Sequence, residues 1–176
     1  MSELDEAWAL ALQEAERRAR GAGRTDVTEY LALRNSNDEL RKIGIQWLTE
    51  TFTNIAAEAN RAGAAIQSEK QDGHRFRVGN ATMVGKLLTL RQGVRTLLIE
   101  AGWPRTPSDG IVRGGGLACG NLKHVGLKTA NEGLLLVKSD TGAPRWLALD
   151  RHDGTKEIHE SDARKHIAIL LNVPTR

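Results

Sequence analysis

Cys119 is the only cysteine among 176 residues. That excludes an internal disulfide and a cysteine-built zinc site, and a lone thiol suits a reducing cytoplasm. Aromatic residues are scarce at 4%: Phe52, Phe76, Tyr30, Trp8, Trp47, Trp103 and Trp146. Proteins that read single-stranded nucleic acid stack bases on exposed aromatics. The tryptophans here lie mostly within apolar pattern, so core packing is expected of them and base stacking is disfavoured. No run approaches the roughly 18 apolar residues that a membrane span needs. The opening MSELDEAW carries acid where a secretory signal carries base. The expected setting is cytoplasmic, with no membrane contact.

Charge is present in quantity and unevenly placed. The formal net charge of +3 hides a first segment, residues 1–69, with 8 Lys and Arg against 12 Asp and Glu. Residues 70–151 reverse this, with 13 basic against 6 acidic. Asymmetry of this kind speaks of partners and association, not of fold. A basic face can meet phosphate, an acidic protein, or the acidic helices of its own chain.

Apolar spacing of three to four residues (Leu4, Trp8, Leu12, Ala15, Ala19) predicts an amphipathic helix that stops at Gly21-Ala22-Gly23. Thr25-Asp26 opens a short second helix through Val27, Tyr30 and Leu31, ending near Asn35. Ser36-Asn37-Asp38-Glu39 has capping-box form and opens a third, long helix reaching about residue 69. Its stripe runs Leu40, Ile43, Trp47, Thr51, Ile55, Ala59, Ala62, Ile66. Such a helix outruns a small domain, which predicts contact with a second copy of the chain.

After Gly73 the period becomes two, with glycine-bearing turns. Strands are expected at 74–78, 83–90, 94–101, within 111–128, at 134–138, 145–150 and 156–159. Short connections imply antiparallel pairing. Leu87-Leu88, Leu97-Leu98-Ile99 and Leu134–Leu136 put apolar residues on both faces, which calls for cover by helices or closure into a barrel. Ser161-Asp162 caps a last helix that ends at Asn172 and Pro174. The expected fold is α+β: N-terminal helices, one of them long, packed on a strongly bent antiparallel sheet or partial barrel of six to seven strands, with a C-terminal helix. Residues 1–70, 71–160 and 161–176 supply helices, sheet and closing helix of one compact domain.

The segment Trp103–His124 has the most unusual composition, with prolines, a triple glycine, the thiol and a histidine. Gly114-Gly115-Gly116 could turn backbone N–H groups toward an anion. A bend at a sheet corner explains it more simply, and it lacks the Lys-Ser/Thr ending of a P-loop. Cys119 and His124 lie five apart, so a catalytic pair requires a bulge near Gly120. A buried structural cysteine is the default. Glu100 ends an apolar strand, where an ion pair with Arg95, Arg105 or Arg113 is favoured over a raised-pKa acid. The five histidines (His74, His124, His152, His159, His166) show no metal-ligand spacing. No metal or cofactor is expected.

Two functional classes stand, with a third beside them. In the first, a binding or accessory module uses Arg75, Arg77, Arg91, Arg95, Arg113 and Lys123 as cations toward an anionic partner, nucleic acid foremost, and self-associates through the long helix. In the second, a small-molecule enzyme or ligand binder uses a pocket in the bent sheet, with Glu100, Trp103, Asp109, Cys119 and His124 as candidates. The third is a structural interaction module without a ligand.

Overall fold

Acidic residues in the first turn (Glu3, Asp5, Glu6) and arginines in the last (Arg18, Arg20) complement the helix dipole of α1, Glu3–Gly21. The computed structural model describes residues 3–150 and 154–173, without the side chain of Asp150. His152 and Pro174 lie outside the described residues. Gly23, at φ 70°, turns the chain back, and α2 runs unbroken over Thr25–Arg61. At 37 residues it is about 55 Å long.

Two expectations for this helix do not hold. The break at Asn35–Ser36 is absent, because α2 is held by packing on both sides of it. Leu31 meets Leu12 and Ala19 of α1, the buried Asp38 accepts from Trp8 Nε1 at 3.2 Å, and Ile45 and Leu48 enter the main core. Against these contacts, one exposed capping box decides nothing. The helix also stops at Arg61, short of 69. Asn60 closes the turn by bonding both backbone groups of Ile66, at 2.9 and 2.8 Å.

Seven strands follow: β1 Gln67–Val78, β2 Ala81–Gln92, β3 Arg95–Trp103, β4 Ala118–His124, β5 Glu132–Lys138, β6 Pro144–Asp150 and β7 Gly154–Glu157. They pair in chain order as an antiparallel meander, β1 to β7, and the sheet is open. Gly73 does not precede β1 but sits inside it as a bulge, at φ 66° with the register shifting between Asp72 and His74. Within the stretch 111–128 the strand is β4 alone, and the rest is turn and loop. Single 3-10 turns occupy Pro107–Asp109 and Arg113–Gly115. The first is fixed by Asp109, whose carboxylate accepts the backbone N–H groups of Arg105 and Thr106, each at 3.1 Å. The last helix, α3, spans Glu160–Leu170. Asp162 caps it by accepting the backbone N–H of His159 at 3.0 Å.

Register assigns the two sheet faces. Leu90 lies opposite Leu97, which lies opposite His124; Leu88, Ile99 and Leu122 form the next row. These join Phe52, Leu48 and Ile55 of α2 and Ala163, Ile167 and Leu170 of α3 in one core. Gly44, mid-helix, permits the closest approach. A Cβ there would stand 2.6 Å from Leu136 Cδ1, and its carbonyl accepts the buried Trp146 Nε1 at 2.8 Å. Glycine costs a helix interior about 1 kcal/mol against alanine, and this contact is the compensation.

The other face is neither helix-covered nor closed into a barrel. Phe76, Ala81, Met83 and Cys119 make a small second core with Val112 of the 104–117 loop and Leu135, while Leu87, Leu98 and Leu147 are half-buried. Among the described residues no helix is long and apolar enough to cross a membrane.

Candidate functional site

Arg75 and Arg77 share one side of β1 by the two-residue period, at the end where β1 turns through Gly79-Asn80 into β2. The 104–117 loop folds back onto this turn, with Gly110 against Ala81. It brings Arg113 along: a Cβ on Gly79 would stand 3.4 Å from the Arg113 guanidinium. Arg77 reaches the same turn, donating at 3.5 Å to the Asn80 carbonyl. Arg75 is tied to Asp109 at 3.1 Å. Among the described residues neither Arg77 nor Arg113 has a carboxylate partner, and all three arginines are exposed. Gly114 and Gly115, both at φ 69°, leave an open backbone beside them.

The remaining cation candidates lie elsewhere. Arg91 and Arg95 sit at the opposite end of the β2–β3 hairpin, about 30 Å along the strands by their rise per residue. Arg95 donates to the Ile169 carbonyl at 3.0 Å and so satisfies the end of α3. Lys123 lies on the uncovered face at 2.6 Å from Glu100. Three of the six candidates are therefore gathered, and three are not.

Glu100 is only 4% exposed, on a face that no helix covers. Its Oε2 is 2.8 Å from His74 Nε2. Its Oε1 accepts Asn121 Nδ2 at 2.9 Å and the Lys123 ammonium at 2.6 Å. Asn121 stands directly opposite Glu100, and Lys123 is two residues on. His74 reaches Glu100 from β1 because its neighbour on β2 is Gly85, which puts no side chain in the way. Burial pushes this carboxyl up, but hydrogen bonds from Lys123, His74 and Asn121 together hold it below its usual value. The ion pair was expected, with different partners. Arg95 opens the same strand but, five residues away, points to the opposite face and bonds Ile169, while Arg105 and Arg113 lie in the loop after β3.

The other chemical candidates do not share a cleft. β4 is regular between Cys119 and His124, so the two point to opposite faces. Cys119 is buried, which pushes its thiol up to about 11. His124, under α3, is 2.9 Å from His166 Nδ1, and His166 Nε2 is 3.1 Å from Glu132 Oε2. Burial, with His166 adding, lowers His124 to about 4. The hydrogen bond from His166 lowers Glu132. Asp109 is held low, chiefly by the backbone N–H of Arg105, and serves its turn. Trp103 lies on the helix side, with the Arg105 guanidinium 3.5 Å from its ring centre. Among the described residues no three of His, Cys, Asp and Glu gather as a metal-ligand set.

His166, Glu132, His74 and Asn121 were not singled out from the sequence as parts of a cluster. The two-residue period places Asn121 and Lys123 on one face, but their pairing with Glu100 needs strand order. Compared with known proteins, the chain matches no family model, no curated protein and no solved structure.

Proposed function

We propose that this chain is a non-catalytic binding module whose β1–β2 turn meets the phosphate backbone of a nucleic acid through Arg75, Arg77 and Arg113. One observation carries this: the guanidinium groups of Arg77 and Arg113 both reach the Gly79-Asn80 turn, with no carboxylate partner among the described residues. Unpaired cations on one exposed turn favour an anionic partner, and guanidinium forks match phosphate oxygens. Such contacts give affinity and orientation with little sequence reading.

Three contacts are a small footprint, and self-association enlarges it. On α2, Ile43 and Trp47 remain 53% and 39% exposed, with Leu33 at 59% on the same side. A second copy of the chain covers this stripe, and two linked arginine turns bind one strand with the gain of a shared tether. A lone, buried cysteine fits a reducing, cytoplasmic setting.

Fluorescence anisotropy with labelled duplex DNA, single-stranded DNA and RNA tests the proposal. Charge reversal at Arg77 and Arg113 is expected to weaken binding of every sequence by about tenfold or more at low salt, while Arg91→Glu, at the far end, leaves it unchanged. Equal affinity in wild type and the double variant would sink the proposal. Light scattering on Ile43→Glu reports the association: a smaller particle than wild type is expected, and an identical one removes the α2 contact.

A further inference from the structure

A cavity of about 370 Å³ opens between the first turn of α1, the middle of α2 and the β1–β2 hairpin. Ligand pockets begin at roughly 300 Å³. None of the arginines at the β1–β2 turn lines it, so it is separate from the proposed phosphate contact. Its apolar wall is Leu4 of α1, Ile45 of α2, Val84 of β2 and Trp103 of β3. The β1 bulge at Gly73 lies on its rim. Bulges of this kind re-aim side chains and recur beside functional sites.

The polar groups of the wall are unevenly matched. Each of its carboxylates already has a partner. Asp5 pairs with Arg105 at 2.8 Å, Asp72 faces Lys86 at 3.8 Å, and Glu50 accepts Gln46 Nε2 at 2.8 Å. The donors are in surplus. Lys70 has no carboxylate partner among the described residues, and Lys42 reaches only Glu39, outside the cavity, at 3.6 Å. Arg105 is clamped in place by Asp5, by the Val84 carbonyl at 3.2 Å and by the Trp103 ring. Its Nε is nevertheless the one buried side-chain polar atom without a hydrogen-bond partner among the described residues. Spare donors beside an apolar wall call for a ligand that brings an acceptor and a hydrocarbon body together.

We propose that this cavity is a binding site for a small amphiphilic organic anion, a carboxylate or sulfonate with an aliphatic or aromatic body. The body lies on Trp103, Ile45 and Val84, and the charged end meets Lys42, Lys70 and Lys86. Only Trp103 of the pocket candidates named from the sequence contributes. The others (Glu100, Asp109, Cys119 and His124) stand apart from this cavity.

The test uses the intact chain and 8-anilinonaphthalene-1-sulfonate, an aromatic monoanion that brightens in apolar surroundings. The expected result is saturation at one dye per chain, with displacement by octanoate and none by octylammonium. Lys42→Ala with Lys86→Ala weakens the dye about tenfold. Thr49→Phe, which pushes a ring into the cavity from α2, abolishes binding while circular dichroism confirms the fold. Equal displacement by both octyl compounds overturns the proposal, because the site then has no charge preference. Undiminished dye binding in a folded Thr49→Phe chain overturns it too, since the dye then sits on another apolar surface. No dye binding to wild type does the same.

Discussion

The two faces of one sheet each link histidine to glutamate, and they bury opposite members: His124 on one face, Glu100 on the other. On the helix-covered face His124 is buried against α3, and its hydrogen bond leads through His166 to the half-exposed Glu132. On the uncovered face Glu100 is sealed by its own neighbours: His74, Asn121 and Lys123 supply three donors to two oxygens. The first cluster is a base kept neutral by burial. The second is an acid kept charged by hydrogen bonds. The difference teaches that the helices supply a dry core, whereas the uncovered face must satisfy its buried charge with polar side chains from adjacent strands.

The largest expected effect separates the faces by packing. Phe52→Ala removes a ring with no exposed surface and is expected to cost about 3–5 kcal/mol. Leu98→Ala, half-buried on the other face, costs about 1 kcal/mol. Urea denaturation of both variants measures the contrast, and equal losses would erase it.

The next effect is a pH dependence. His124 falls from 6.5 unfolded to about 4 folded, so the unfolded chain binds the proton more readily. Its contribution is complete above pH 6.5 and is lost as pH falls toward 4. About 3 kcal/mol is at stake. Asp162, lowered from 3.8 to about 2, acts the same way only below pH 4. Thermal melts across pH 4–8 check this: wild type should lose stability between 6.5 and 4, and His124→Gln should lose that slope. A wild-type curve flat in this window would contradict the buried neutral base.

Smaller again is Glu100→Gln, expected to cost about 2 kcal/mol by leaving Lys123 and His74 without their anion. Lys123 can turn to solvent, which limits the loss. Restoration by Lys123→Met in the Glu100→Gln background would show that the pair, and not the packing, was lost. The smallest effect is at Cys119. Its buried thiol, pushed up to about 11, should resist iodoacetamide at pH 8 until the chain unfolds. Rapid alkylation of folded protein would show the 104–117 loop opening.

The α+β class, an antiparallel sheet of six to seven strands and the closing helix are legible in the periodicity, because period two and period 3.6 report which side of an element is buried. Boundaries failed where a local signal met a tertiary one. Ser36-Asn37-Asp38-Glu39 reads as a helix start, yet Asp38 is buried against Trp8 and Arg41 in mid-helix. Gly73 reads as a boundary and is a bulge. Of the candidate site, Arg75 and Arg77 follow from strand period alone. Arg113 does not, since its place depends on how the 104–117 loop folds back onto Gly79. The partners of Glu100 were hidden for a similar reason: strand order sets Lys123 beside it, while Arg95 faces the other side of the same strand and Arg105 and Arg113 lie in the loop that follows.

The most direct measurement is the salt dependence of duplex DNA binding by wild type and by Arg77→Ala with Arg113→Ala. Three phosphate contacts predict a slope of log affinity against log salt of about −2.7 per engaged chain, and the double variant should retain about −0.9. Identical slopes in the two proteins, or binding indifferent to salt, would contradict a phosphate-contacting turn.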